Sequence, residues 1–113
     1  MKTKHDIAEF RKMMVSAEGR MNHRQQEFAD ELFQTVKAQY PEIEFISYAL
    51  NPDDKQHVWI WIEAPMSEER EMELMSFISP REGEIFMEYG YDFSIMTYNT
   101  LVDIPLYGSL EAA

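Results

Sequence analysis

The side chains with the most scope for chemistry stand together in residues 57–64, HVWIWIEA. If this segment is a β-strand, alternation places its aliphatic side chains on one face and its polar and aromatic side chains on the other. The second set consists of His57, Trp59, Trp61 and Glu63. Since His57 lies at the start of the strand beside this face, it is the best candidate in the chain for a lone general base.

The two tryptophans of this strand, Trp59 and Trp61, would together bury on the order of 400 Å². An exposed apolar patch of that size is unusual on a soluble monomer, so we expect the tryptophans to be covered. Three sources of cover remain open: other parts of the same chain, a second subunit, or a ligand. For the last two, Tyr48 and Tyr98 join His57, Trp59 and Trp61 as candidate interface or ligand-binding residues.

A second set of candidates lies on the predicted helix that ends near residue 40. His23, Glu27 and Glu31 follow each other at four-residue intervals, so all three share one helical face. A zinc ion needs three or four convergent ligands, usually from more than one element, and a single helix does not supply that geometry. Charged residues at this spacing more often form a solvated face. We therefore expect no metal site and no cofactor, and these three residues are the candidate ligands should a metal bind.

Sequence signals for covalent or phosphate chemistry are missing. Ser94 is the serine to consider as a nucleophile, but it lacks the G-x-S-x-G pattern of a nucleophile elbow. The four glycines stand far apart, so there is no glycine-rich phosphate loop, and the chain has no cysteine. Carboxylates are abundant, but no pattern marks one of them as desolvated. The sequence assigns no catalytic residue and does not favour an enzyme.

The first forty residues have the periodicity of helices. Two apolar stripes at helical spacing occur within residues 7–17 and 28–36. Gly19 is a candidate C-cap for the first stripe, and Asn22 with Gln25 forms a capping pair that starts a second helix. The pattern favours two helices and is also compatible with one long helix.

The rest of the chain predicts strands on either side of a helical crossover. The three predicted strands are residues 43–50, 57–64 and 91–98. The first two are joined by a turn at residues 51–55, which contain proline, asparagine and aspartate. Ser67 can cap a helix after the second strand, and Ser79 followed by Pro80 predicts a new helix start. The crossover is therefore expected in two helical segments.

These elements predict an α+β fold with a three-stranded sheet, a β-hairpin and helices on at least one face. The chain fits a single domain, residues 1–113, in which residues 1–40 are helical and residues 41–113 form an acidic body of sheet and helix. Residues 101–107 are too apolar to remain in water, so we expect them to pack against the domain.

The charge of the chain limits its partners. The net charge is −11, and it is concentrated in residues 41–113, which sum to −12 against +1 for residues 1–40. Binding to nucleic acid or to an anionic membrane needs cations on the protein, so we expect neither. There is no apolar run of about 18 residues, the start of the chain lacks the apolar stretch of a signal peptide, and a cytoplasmic protein is expected.

The tryptophan pair, the apolar tail and the uneven charge together indicate a small non-enzymatic protein-interaction or regulatory domain. We expect it to self-associate, as a homodimer, through an aromatic sheet face and helices. The alternative is a small-molecule-binding domain or minor enzyme with a pocket near His57 and Trp59. A further alternative is an acidic inhibitor or immunity-type protein that binds a basic partner.

Overall fold

The computed structural model describes the backbone of residues 4–99 and the side chains of residues 7–99. The apolar tail predicted at residues 101–107 lies outside the described residues. The elements follow in the order α1 (Lys4–Lys12), α2 (His23–Gln39), β1 (Glu44–Asn51), β2 (Asp54–Glu63), α3 (Glu68–Tyr89) and β3 (Asp92–Tyr98).

The three strands form one mixed sheet with β2 in the centre. β1 pairs with β2 in the antiparallel direction, and β3 pairs with β2 in parallel. A parallel neighbour requires a crossover, and α3 provides it. The predicted hairpin turn contains an Asx bond, since the side-chain oxygen of Asn51 accepts from the Asp53 backbone N–H at 2.8 Å. The predicted α+β fold with a hairpin and a helical crossover is confirmed.

The core lies between one face of the sheet and the helices α2 and α3. Val58, Ile60 and Ile62 of β2 are buried on this face, as their alternation predicted. Phe93 and Ile95 of β3 are the cross-strand partners of Val58 and Ile60 on the same side. The helices contribute the buried side chains Leu32, Val36, Leu74, Ile78 and Ile85.

The N-terminal part of the chain contains two helices, but the first ends earlier than predicted. α1 stops at Lys12, and the chain then runs along the free edge of β1. Val15 accepts from the Leu50 backbone N–H at 2.8 Å, and the Ala17 N–H donates to Tyr48 at 2.9 Å. These bonds satisfy edge groups of β1 that a longer α1 would leave unpaired, which explains why the helix ends.

Of the two capping signals between α1 and α2, the Asn22 and Gln25 pair is confirmed, whereas Gly19 does not cap α1. Asn22 and Gln25 form a complete capping box, because each side chain accepts a hydrogen bond from the backbone N–H of the other residue. Gly19 has φ of 78°, which favours glycine, but it lies in the irregular segment rather than at the end of α1.

The predicted restart at Ser79-Pro80 is wrong, because α3 is one continuous helix of 22 residues. A proline inside a helix removes one backbone hydrogen bond, here to the carbonyl of Ser76, and costs about 3 kcal/mol. Both residues are exposed, so water can reach this carbonyl. Leu74 and Ile85, on opposite sides of the proline, are buried on the same face of α3, and this packing keeps the helix continuous.

Two bidentate ion pairs fasten α3 to the α2 side of the domain. Arg81 donates from Nε and Nη2 to the carboxylate of Glu31 at 2.7 and 2.8 Å. Arg70 donates from Nε and Nη2 to Glu42, and its guanidinium lies 4.6 Å from the ring centre of Tyr40. The hydrogen bonds from the guanidinium groups hold the pKa of both Glu31 and Glu42 below the ordinary glutamate value.

Candidate functional site

The sheet face that points away from α2 and α3 holds most of the predicted site residues, and we call it the aromatic face. Its central side chains come from all three strands, with Trp59 opposite Ala49 and Ser94, and Trp61 opposite Ser47 and Met96. Both tryptophans are partly buried. His57 and Tyr98 lie at the two ends of this face.

The rings on the aromatic face form a continuous edge-to-face chain. The ring centres of Trp59 and Trp61 are 6.1 Å apart at an interplanar angle of 89°, and His57 lies 6.3 Å from Trp59. Phe10 of α1 contacts Trp61 at 4.8 Å and Tyr98 at 4.5 Å. Such pairs add about 0.5–1.5 kcal/mol each beyond the area they bury. α1 therefore covers the Trp61 end of this face through one aromatic side chain.

Phe10 is a site residue that sequence analysis did not identify. The sequence places Phe10 within the apolar stripe of the first helix, and the structure agrees. The periodicity of a helix shows which side is apolar but not which sheet face it covers. With only nine residues, α1 is about 13 Å long, whereas the ten residues of β2 span about 33 Å.

The indole N–H of Trp61 is buried and has no hydrogen-bond acceptor in the described part of the chain. A buried donor without a partner costs about 1–3 kcal/mol. Fully formed cores rarely contain such a group. Burial of the Trp61 end of the aromatic face therefore costs free energy of folding.

The hydrogen bonds of His57 determine its tautomer. Because Asn51 accepts from the Asp53 N–H through Oδ1, its amide Nδ2 is the atom that faces His57 Nδ1, 3.1 Å away. Nδ1 is thus an acceptor, and the neutral imidazole carries its proton on Nε2. That proton is donated to Ser94 Oγ at 2.8 Å, with Asp92 Oδ1 at 3.8 Å from the same nitrogen.

This tautomer is the wrong one for activating a serine nucleophile. A histidine that activates a serine must accept the hydroxyl proton, whereas His57 donates a proton to Ser94. The contacts of His57 instead join the hairpin turn at Asn51 to β3 at Ser94. The geometry supports a positioning role for His57, whose ring ends the aromatic chain beside Trp59.

Tyr48 does not belong to the aromatic face. It pairs with Ile60 and lies on the opposite, helix-covered face, where its hydroxyl donates to Asp30 of α2. Burial, and then the hydrogen bond to Asp30, raise the pKa of Tyr48 above its ordinary value. His57 and Tyr98 are on the aromatic face but six residues apart along the strands, which is about 20 Å. The structure therefore does not bring the predicted pocket residues together.

The candidate metal ligands on α2 also separate into two groups. His23 lies 3.4 Å from Glu27 on an exposed part of the helix, whereas Glu31 is bound by Arg81. Within residues 7–99, whose side chains the structure describes, no group of three or more histidine, cysteine, aspartate or glutamate side chains could hold a metal ion. Glu31 therefore stabilises the contact between α2 and α3 and is not free to join His23.

Glu82 is a second residue, after Phe10, that sequence analysis did not single out. It lies on the buried side of α3, and its Oε2 accepts from the backbone N–H of Ile95 at 2.7 Å. β3 is an edge strand, so this bond blocks a donor that another strand would otherwise use. Burial raises the pKa of Glu82 above the ordinary value of 4.5; the Ile95 N–H opposes this shift and Asp92 adds to it.

The raised pKa of Glu82 predicts how the stability of Glu82→Gln will differ from that of the wild type. The folded state holds the Glu82 proton more tightly than the unfolded state does. The resulting stabilisation is complete below the unfolded pKa and is lost as the pH rises through the folded pKa. Glutamine keeps an acceptor for Ile95 and has no charge to desolvate. The variant should therefore gain stability relative to wild type between about pH 4 and pH 7.

Urea unfolding across this pH range measures the difference between the two proteins. Glu88→Gln, at an exposed position of the same helix, controls for the change in net charge. The assignment would be contradicted if the free energy of unfolding of Glu82→Gln, minus that of the wild type, fell as the pH rose.

Comparison of the chain with models of known protein families, with curated proteins and with solved structures found no match. Among the described residues, no helix has both the length and the apolar character needed to cross a membrane. The functional interpretation therefore rests on the geometry of the aromatic face and of the helices.

Proposed function

We propose that this chain is a small protein-interaction domain that self-associates through its aromatic face. The observation that supports this proposal is the unequal cover of the two sheet faces. Among the residues that the structure describes, one face is packed by α2 and α3, whereas the other is contacted by α1, which has less than half the length of β2. Sheet faces rich in tryptophan are stabilised when they pack against a second layer, and a second copy of the chain supplies that layer.

The charge distribution also supports self-association at this face. The chain carries a net charge of −11, so two copies repel each other over most of their surfaces. The centre of the aromatic face is uncharged, since it consists of Trp59, Trp61 and their cross-strand neighbours Ser47, Ser94 and Met96. Charged groups stand at the margin of the face, with Asp92 and Glu63 at its ends and with Arg11 and Glu18 beside Ser47 at the β1 edge. Interface cores are similarly depleted of charge and enriched in tryptophan and methionine.

The alternative of a small-molecule pocket has less support. It required His57, Trp59, Tyr48 and Tyr98 to converge, and Tyr48 lies on the other face while Tyr98 lies at the far end. In its tautomer, His57 donates a proton to Ser94 and so does not activate this serine as a nucleophile. An interaction surface needs only the two tryptophans and an uncharged centre, and the sheet register supports both.

Engineered cysteines test the proposal directly, because the natural chain contains none. Ser47→Cys and Ser94→Cys place a thiol on either side of the tryptophans, and Ser76→Cys on the exposed side of α3 is the matched control. In a two-fold interface, residues near the axis meet their own copies. Treatment with a short bis-maleimide should therefore produce covalent dimers from the two sheet variants and none above background from Ser76→Cys.

The outcome depends on contact between copies and not on the reactivity of one thiol. Labelling with a monofunctional maleimide should show that all three cysteines react. If Ser47→Cys and Ser94→Cys are labelled yet form no more dimer than Ser76→Cys, the aromatic face does not meet a second copy and the proposal is wrong.

A further inference from the structure

The outer side of α3 exposes an amount of apolar surface that the fold does not explain. Met72 is 70% exposed and Met87 is 81% exposed, with Phe86 at 50% and Phe77 at 41%. Phe77 and Phe86 are nine residues apart and so lie on opposite sides of the helix, with the Phe77 ring 5.8 Å from that of Tyr40 on the α2 side. Met72, Phe86 and Met87 share the outer half of α3, and whereas single exposed apolar residues are ordinary, three on one side of one helix form a patch. Methionine and phenylalanine are also typical of surfaces that adapt to a binding partner.

The middle of this surface is lined by small residues. Between the two methionines, the exposed positions include Ser76, Ser79, Pro80 and Gly83. Met72 and Met87 are 15 residues apart, which is about 22 Å along the helix. We call the surface from Met72 to Met87 the methionine saddle, since its ends are large side chains and its centre is low.

Gly83 has no evident purpose inside the domain. A Cβ atom at this position would meet no atom of the described residues within 4 Å, and its backbone has no positive φ that would favour glycine. Glycine inside a helix costs about 1 kcal/mol relative to alanine. Together with Pro80, it lowers the stability of α3 while keeping the centre of the saddle low. Close approach by another molecule gives both residues a reason that internal packing does not.

The charge around the methionine saddle has one sign. α3 contains seven glutamates and two arginines. Both arginines are turned toward the α2 side of the domain, where Arg70 pairs with Glu42 and Arg81 pairs with Glu31. The exposed carboxylates of α3 belong to Glu68, Glu69, Glu73, Glu84 and Glu88, of which Glu84 also pairs with Arg81 at 3.1 Å. Any molecule that lies on the saddle therefore meets apolar side chains bordered by negative charge.

We propose that the methionine saddle binds a cationic amphipathic helix of another protein. The acidic body of a second copy, residues 41–113, would bring carboxylates against carboxylates, so charge disfavours it as the occupant. A helix fits because the saddle is about four turns long and low at the centre, where two helix axes approach most closely. Leucine or isoleucine side chains of the partner would contact the two methionines, and its lysines or arginines would pair with the flanking glutamates.

This surface is separate from the one proposed for self-association. α3 packs on the sheet face opposite Trp59 and Trp61, so its outer side remains free in a dimer formed through the aromatic face. Loss of one interaction is not expected to remove the other. The two proposals can therefore fail independently.

The probe for the experiment is a synthetic helical peptide of about 18 residues, or ~27 Å, with leucines on one side and lysines on the other. Its matched control carries glutamate in place of every lysine. Binding to the full chain is measured by calorimetry at about 0.15 M salt, where contacts beyond about 8 Å are screened. The lysine peptide should bind, the glutamate peptide should not, and affinity should fall as the salt concentration rises.

Two variants separate docking in the saddle from general attraction between opposite charges. Gly83→Gln keeps the net charge and fills the centre of the saddle, and Met72→Ser/Met87→Ser removes its apolar ends. Each should weaken peptide binding roughly tenfold. Ala38→Gln, at an exposed position of α2, is the matched control for the added glutamine and should leave affinity unchanged. Because glutamine is a better helix former than glycine, Gly83→Gln should not lower the free energy of unfolding.

Several outcomes would overturn the proposal. Equal affinity of the peptide for wild type, Gly83→Gln and the methionine variant would show attraction to charge alone. Failure of the lysine peptide to bind would exclude the stated partner chemistry. A loss of stability in Gly83→Gln would indicate that another part of the same chain packs on the saddle. A solution mass of Gly83→Gln that differs from that of the wild type would indicate that a second copy binds there.

Discussion

Replacement of Trp61 by alanine is expected to lower the free energy of unfolding by about 3 kcal/mol, the lower end of the range for large aromatic side chains. Trp61 contacts Phe10 at 4.8 Å and Trp59 at 6.1 Å, so its loss leaves a cavity and removes one of the two aromatic contacts of Phe10 with the sheet. The partial exposure of Trp61 keeps the expected loss below that of a fully buried tryptophan.

Replacement of the same residue by phenylalanine should cost much less. Phenylalanine keeps a ring between Phe10 and Trp59, and it removes the buried indole N–H that has no acceptor in the described residues. Relief of that unsatisfied donor offsets about 1–3 kcal/mol of the lost packing. Urea unfolding followed by circular dichroism, at one fixed protein concentration, measures both variants. A Trp61→Phe variant as unstable as Trp61→Ala would show that the indole N–H has a partner in solution.

The second large effect on the free energy of unfolding is expected from replacement of Asn99, which lies away from the aromatic rings. It is buried, and its Nδ2 donates to the Met66 carbonyl at 2.7 Å and to Glu71 Oε1 at 2.9 Å. Its Oδ1 accepts from the Met66 N–H at 3.3 Å. One amide thus joins the end of β3 to the loop before α3. Asn99→Ala leaves both backbone groups of Met66 without these partners and should cost about 2–3 kcal/mol.

Asn99→Asp distinguishes a hydrogen-bonding role from simple filling of space. The aspartate has nearly the same shape and retains an acceptor for the Met66 N–H, but it places a carboxylate beside Glu71. Its stability should fall below that of Asn99→Ala at pH 7 and recover at pH 4, where one of the two carboxylates can hold a proton. A loss of less than about 0.5 kcal/mol in Asn99→Ala, as for an ordinary surface substitution, would contradict this role.

Local patterns in the sequence predicted the strands, the buried aliphatic face of β2 and the capping box of α2. Each of these depends on residues close together in the chain. The early end of α1 depends instead on hydrogen bonds from Val15 and Ala17 to β1, more than thirty residues away. Likewise, the continuity of α3 through Pro80 depends on burial of Leu74 and Ile85 against the sheet. Both features arise from tertiary contacts that override local preference.

The candidate site was predicted in part for the same reason. Alternation within β2 placed His57, Trp59 and Trp61 on one face, and the structure agrees. The face occupied by Tyr48 depends on the register of β1, which is shifted by an irregularity between Phe45 and Ser47. A shift of one residue moves a side chain to the other face of a sheet, so sequence could not place Tyr48.

The solution mass of the wild-type chain, measured by light scattering over a series of concentrations, tests self-association through the aromatic face most directly. The proposal predicts twice the mass of one chain at high concentration, with a return toward a single chain on dilution or on replacement of Trp59 by glutamate. Met72→Glu, which adds the same charge on the opposite side of the domain, should remain dimeric. A mass of one chain at every concentration would contradict the proposed function.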